Sequence, residues 1–528
     1  MRVRPFAAVR PADTAAAGRV ACPPYDVVSA ADAVAAAAAS PDTFLRVVLP
    51  ECGLPDGGGS GPDAGRRRHQ AAAATLARLT DDGLLVREAA PALYVYELSL
   101  DGGGGRHTQR GLVATVSVGD YQAGVIRVHE DTRAAKEAER VALTDAVNAH
   151  TGPVFLTHPD GCAVGGGVCS SGGVDAPLDG GPVLVALDAA VRAAGEPLFS
   201  FTADDACGPV THTVWRVDGP ASTALTAAYE AHVPAAYVAD GHHRAASAAA
   251  VGVARQKAVA AAAAAAAASG GTPPAPADAD IEAAWFLAVL FPVSQMRLLP
   301  YHRAVRALPE GTSAESFLAA LSAVCDVAPS TAAAAATAAA APAVPVLCGA
   351  GGAAGAPPTP PRPTVVHAYL RRQWYRVTLP ALPSSGAAAG GGGVSPSGGH
   401  DKGGGTDMAA ALDCARLQAV VLGPLLGIDA PRTDPRMEFV GGDGGVPALQ
   451  ATVDGLDKAA AAAAASPAGA AAESEGGGAG EPSAAVAFAM APVAVADLLA
   501  VSDAGGRMPP KSTWFSPKLR SGLFVHTF

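Results

Sequence analysis

Aromatic residues make up only 5% of the 528-residue chain, and no two cysteines are spaced as C-x-x-C. The eight cysteines are scattered, at 22, 52, 162, 169, 207, 325, 348 and 414. In a chain this long, that spacing speaks against a zinc knuckle. It also speaks against a disulfide framework and for a reducing compartment, so the expected location is cytoplasmic. Long apolar runs are missing too. The longest uniform stretch, the alanines of 260–268, is too short and too weakly apolar for a bilayer, which takes about 20 apolar residues. The first twenty residues hold arginines and alanines but no compact apolar signal region. A basic excess is also absent: 37 Lys and Arg stand against 48 Asp and Glu, a net charge of -11. No membrane and no nucleic-acid partner is expected from this balance, although a local basic pocket stays open.

Alanine and glycine are abundant instead. Half the residues are hydrophobic, enough for a sizeable core, but part of that count is filler. Six stretches rich in Gly, Ala, Pro or Ser read as disordered insertions: 56–69, 159–181, 256–280, 329–363, 383–407 and 457–482. Such composition buries too little apolar surface to offset the entropy of ordering. The expected body is one unit, or two lobes, 1–255 and 281–528.

Between those stretches, strand and helix signals alternate, which predicts an α+β (mixed α/β) fold. PALYVYELSL (91–100) and GLVATVSVGDY (111–121) read as a hairpin with a long loop. Further strands are expected at 152–158, 212–217, 235–240, 285–293, 373–379 and 485–493. Helices are expected at 132–149, 244–268, 313–323 and 495–504.

The segment YVADGHHRAASAAA (237–250) places a polar knot between an apolar strand and an alanine-rich helix. First-turn N–H groups of a helix lack internal partners and carry partial positive charge, so such a turn is a common anion site. Gly241 lets a ligand approach the backbone, and His242, His243 and Arg244 add donors. Asp240 can accept a proton or fix a histidine tautomer. Equally, Asp240 can be a simple N-cap with the histidines covering a helix end. A zinc site would need a third ligand that the local sequence does not offer.

A second charged patch is HEDTRAAKEAER (129–140). On a helix, Arg133, Lys136, Glu137 and Arg140 share a face at three- and four-residue spacing. A solvated, salt-bridged face is the plain reading. Alternatively, His129 and Glu130 sit at the helix entrance for acid/base work or ligand orientation, with the basic residues steering an anion. The tail MPPKSTWFSPKLRSGLFVHTF (508–528) carries Lys511, Ser512 and Lys518, which can bind phosphate or carboxylate. It can also be a docked terminal strand. PPYDV (23–27) reads as a rigid turn or a further polar element, since proline fixes the backbone.

Taken in order, these blocks resemble the bacterial and archaeal domain-of-unknown-function family 1015. The matching blocks are RPFAAVRP, PPYDVVS, LYVYEL, GLVATVSVGDYQAGVIRVHEDTR, TGPVFLT, FTADD, YVADGHHRAASA, FLAVLFPVSQMRLLPYHRAV, RTDPRMEFVGG and PPKSTWFSPKLRSGLFVH. The start is among them, so the first residues are expected to belong to the domain rather than to a transit peptide. The strand–DGHHR–helix unit is also similar to the ParB/sulfiredoxin-like superfamily, whose members bind nucleotide phosphates at this turn and include free-serine kinases. That resemblance implies that Gly241, His242 and Arg244 hold phosphates, that Asp240 acts as base or orients a phosphate, and that Glu130 positions the substrate. It implies a phosphotransferase or phosphohydrolase acting on a small polar metabolite such as serine, with ATP or ADP. A magnesium ion is expected with it, for which Asp240, Glu130 and Asp26 are available as ligands. The alternative is a non-catalytic protein that binds a nucleotide or phosphorylated metabolite for regulation. A DNA partner of ParB type fits the charge poorly.

Overall fold

The computed structural model describes residues 1–102, 105–160, 181–268, 282–340, 364–382, 405–465 and 484–528. The fold is α+β, and the chain divides into two compact units. Among the described residues, the first comprises Met1–Met296 and Pro517–Phe528, and the second comprises 297–516.

The first unit is built on a nine-stranded sheet of β1 (Val3–Arg4), β2 (Leu93–Gly102), β3 (Gly105–Ser117), β4 (Ile126–Arg127), β5 (Val154–His158), β6 (Phe199–Asp205), β7 (Gly208–Val217), β8 (Ala236–Asp240) and β9 (Trp285–Pro292). The spatial order is β4-β8-β5-β9-β3-β2-β7-β6, with β1 also on β3. Successive side chains of a strand face opposite ways, and here both faces are covered. Leu93, Val95, Leu112, Ala114 and Val116 join a core with helices α1 (Pro182–Ala194), α2 (Gly219–His232) and α3 (His242–Ala268). Tyr94 and Tyr96 turn the other way, where the Phe524 ring lies 5.2 and 6.1 Å from theirs. Burial on both faces explains why LYVYEL reads as an almost unbroken apolar run.

The last twelve residues are thus a strap stitched into the first unit. Ser521 bridges Cys22, Val525 bridges Val9, and His526–Thr527 pairs with Ala149–His150. The Nδ1 atoms of His150 and His526 lie 3.2 Å apart, and His526 Nε2 lies 2.9 Å from Glu282.

The second unit holds a six-stranded antiparallel sheet. Its spatial order is Asp326–Ser330, Gln373–Leu379, Thr364–Leu370, Val486–Ala489, Tyr301–Val305 and Met437–Gly441. The helices Ala332–Ala339 and Gly445–Ala464 cover it through Ala335, Ala339, Val446, Leu449 and Val453. Leu298–Leu299 pairs with Trp514–Phe515 in the same unit.

Several expectations are corrected. The stretch 56–69 is folded: Pro55–Gly58 forms a 3-10 turn, and Ala64 opens an 18-residue helix to Asp81. The basic run 66–68 makes this possible, because Arg67 Nε and Arg68 Nε donate to the carbonyls of Gly58 and Gly57 at 2.9 and 2.7 Å. Residues 332–339 and 457–464 are helical, as alanine's high propensity favours, and 256–268 continues the helix expected over 244–268. Residues 329–330 end a strand and 405–407 open the helix Gly405–Ala410, while 161–180, 269–280, 341–363, 383–404 and 466–482 lie outside the described residues. The β2–β3 hairpin pairs as far as Gly102 and Gly105 rather than carrying a long loop. The helices Pro182–Ala194 and Gly219–His232 were not foreseen. Each opens beside a proline or glycine, residues that read as breakers but suit the first helical turn.

Candidate functional site

The site lies at one end of the first unit's sheet. β8 pairs with β4 in parallel, Ala236 with Ile126 and Tyr237 with Arg127. Glu130 and Asp240 are therefore each three residues beyond the Arg127–Tyr237 pair. Both motifs emerge from the carboxyl ends of neighbouring parallel strands, where open α/β sheets bind ligands. The rings of His129 and His242 meet edge to face, 4.6 Å apart at 90°, and both side chains are buried. His243 Nε2 accepts from the Arg133 main-chain N–H at 3.1 Å, which puts the His243 proton on Nδ1 when the ring is neutral. HEDTR and DGHHR thus form one structure.

At the turn itself, Gly241 has φ of +91°. A β-carbon there would stand 2.8 Å from Arg244 Nε, so both conformation and space call for glycine. Ala245 N donates to Gly241 O at 2.9 Å, which starts the ladder of α3. The N–H groups of His242, His243 and Arg244 have no acceptor within the helix and carry its positive end. Arg244 Nη1 donates to Pro153 O at 2.5 Å, and Arg244 Nη2 stands 3.9 Å from Asp240 Oδ2. Asp240 Oδ1 accepts from Gly241 N at 2.8 Å.

The strap completes the site. Lys518 Nζ donates to Asp240 Oδ2 at 3.0 Å, and the Lys518 side chain is buried. A β-carbon on Gly152 would lie 3.3 Å from Ser521 Oγ and 3.7 Å from Arg244 Cδ, so TGP, DGHHR and the strap converge. Tyr25 of PPYDV is buried with the Arg140 guanidinium 4.4 Å over its ring. Its phenol is pushed up to about 12, by burial first and then by Asp26 and Asp240, against Arg244 and Arg140.

Of the expected site residues, His129, Glu130, Asp240, Gly241, His242, His243, Arg244 and Lys518 come together on this end of the sheet. Arg133 joins through its main chain, while its side chain is exposed. The helical face read on 133–140 is split. Lys136 is exposed, whereas Arg140 is buried and donates to Val48 O at 2.8 Å. Lys511 and Ser512 fall in the second unit: Lys511 Nζ donates to Tyr301 Oη at 3.3 Å, and Ser512 Oγ to Pro509 O at 2.6 Å. Tyr25, Gly152 and Ser521 were not foreseen as site residues. Their only signal was membership of distinctive blocks.

Among the described residues, no group of three or more His, Cys, Asp or Glu side chains is placed to hold a metal. No helix is long and apolar enough to cross a membrane among them. No curated protein and no solved structure matches the chain. A family model matches residues 3–166 and 179–397, which include every site residue from Tyr25 to Arg244 but not the strap. Through that match over most of its length, the chain belongs to the family described as protein of unknown function, DUF1015.

Proposed function

We propose that the first unit binds a phosphorylated small molecule or nucleotide at the Asp240–Arg244 turn and transfers or hydrolyses its phosphoryl group. A small polar metabolite such as serine is the acceptor. One observation carries this reading: two motifs 110 residues apart, together with a lysine 278 residues beyond Asp240, gather at one helix start. Phosphoryl transfer is mostly positioning and charge neutralisation, and the side chains have the charges it uses. The first-turn N–H groups, Arg244 and Lys518 hold the phosphate oxygens. Asp240 takes the proton of the attacking hydroxyl as the new P–O bond forms and the bond to the leaving group breaks. Glu130 orients the acceptor. Magnesium, which keeps several waters and leans on substrate phosphates, would be held by phosphate oxygens with Glu130 or Asp240. The likeness of the strand–DGHHR–helix unit to the ParB/sulfiredoxin-like superfamily, with its free-serine kinases, supports the same chemistry.

The test is a thermal-shift screen with ATP, ADP, CTP, pyrophosphate, serine and phosphoserine, with and without magnesium, beside Arg244→Ala. A ligand at a hundred times its Kd adds about 2.7 kcal/mol. The expected result is a shift with a phosphorylated ligand that Arg244→Ala loses, and turnover that Asp240→Asn abolishes without loss of binding. No shift with any ligand in a folded sample would sink the reading. A second reading, binding without chemistry, is favoured by the Asp240 carboxylate being engaged on both oxygens, by Lys518 and by Gly241 N. A shift without turnover in the unmodified chain would select it.

A further inference from the structure

We infer that the second unit carries an oxyanion site of its own, made by Lys511, Tyr301 and Trp514. It shares no residue with the Asp240 turn. Three segments build it. Tyr301 begins a strand paired with Met437–Gly441, and Trp514 lies in the strand paired with Leu298–Leu299. The Trp514 indole rests on Gly441, where a β-carbon would stand 2.9 Å from three ring atoms. Its Nε1 donates to Asp443 Oδ2 at 2.6 Å, and its ring meets Tyr301 edge to face at 5.0 Å. The aromatic pair is thereby fixed.

Lys511 stands by the Tyr301 member of this pair, 5.2 Å from its ring centre, with Nζ 3.3 Å from Tyr301 Oη. Among the described residues it has no carboxylate within 4.0 Å. An ammonium has three donors, and a phenol oxygen takes only one. Behind Tyr301, Arg303 is buried as well, bound to the carbonyls of Tyr301 and Pro510 and stacked on Phe439 at 4.7 Å. Asp413 bears on it electrostatically, without an ion pair. Arg303 is offset by Asp413 and Trp514 is held by Asp443, which leaves Lys511 as the charge suited to an anion. Lys511 also holds φ of +55°, a left-handed conformation that costs a non-glycine residue free energy and gathers at functional sites. The chemistry fits a phosphate monoester or carboxylate on Lys511, with the body of the small molecule against the aromatic pair.

The experiment follows Trp514 emission, taken as the difference between the full chain and Trp514→Phe, during titration with inorganic phosphate, phosphoserine and acetate. Phosphate against acetate distinguishes the two oxyanions. A saturable change is expected with at least one probe, weakened roughly tenfold or more in Lys511→Gly, since a charge-assisted hydrogen bond is lost. Arg244→Ala leaves the change intact. Lys511→Gly and Lys511→Asn accept the left-handed backbone, so both are expected to keep or raise the thermal midpoint. No change with any probe, a change retained in Lys511→Gly, or one lost in Arg244→Ala would overturn the site. A midpoint lowered in both Lys511 variants would do so too, as the mark of a structural lysine.

Discussion

At the scale of single residues, the site is held by a small number of close approaches. Asp240 illustrates how one carboxylate does several tasks. It closes its own turn through Gly241 N, stands 3.9 Å from Arg244, and anchors Lys518, which arrives from the other end of the chain. Lys518 and Asp240 are both largely buried, with side-chain exposures of 7% and 19%. Lys518→Ala leaves Asp240 with Gly241 N and the more distant Arg244, and loss of the charge-assisted hydrogen bond is expected to destabilise the chain by about 1.5–3 kcal/mol. Adding Asp240→Asn in the Lys518→Ala background should cost much less than Asp240→Asn alone, because the two side chains share one interaction. Urea unfolding of the four proteins of that cycle measures it, and strict additivity would show that the pair is not coupled. The sequence showed which side chains were chemically able to serve here. It could not show that Asp240 meets Lys518, because no local pattern spans 278 residues.

At the scale of elements, the C-terminal strap decides most. Its Phe524 is fully buried against Tyr94 and Tyr96, on the sheet face away from the helices. Phe524→Ala is expected to cost about 3–5 kcal/mol through lost burial and the cavity left behind, read as a lower urea midpoint. A loss below about 1 kcal/mol would mean that the face collapses without the ring. The strap's alternatives, phosphate-binding segment or docked strand, were both open in the sequence, and the structure shows the docking. Lys518 faces the site, while Val525 and His526 pair with other segments. The parallel pairing of β4 with β8 is the other decision taken at this scale. Of the two, β8 was read from its apolar residues and β4 was not. Their adjacency was not, since β4 is only two residues long and its partner lies 110 positions on.

At the scale of the whole molecule, buried histidines link folding to pH. Burial, which disfavours the imidazolium, holds His158 at about 4, His212 at about 3 and His302 at about 4, below the ordinary 6.5. Burial lowers His150 and His526 as well, with Glu282 opposing at His526. An unfolded chain therefore binds these protons more readily than the folded one. Stability is fully present above about 6.5 and falls as the pH drops towards 4, by up to about 1.4 kcal/mol per pH unit for each histidine. Asp413 acts in the opposite sense. Burial raises it to about 6, so its contribution is present below the ordinary 3.8 and is lost as pH rises through 6. Burial raises Asp160 and Asp497 as well; the five histidines outweigh these three carboxyls, and urea midpoints at pH 7, 6 and 5 are expected to fall in that order. A flat profile would mean that the histidines are not neutral when folded.

By itself, the sequence determined the class of the fold, the strands with apolar runs, the alanine-rich helices and the identity of the polar knot. These follow from local periodicity and propensity, which need only a window of residues. Only the tertiary structure decided that HEDTR, DGHHR and Lys518 make one site, while Lys511, seven residues before Lys518, lies in the other unit. That separation turns on where the chain re-enters the first unit, at Pro517. The re-entry is favoured by burying Phe524 and Val525 against strands laid down hundreds of residues earlier. Burial of apolar surface is non-directional and indifferent to distance along the chain, so no reading of neighbouring residues could place it.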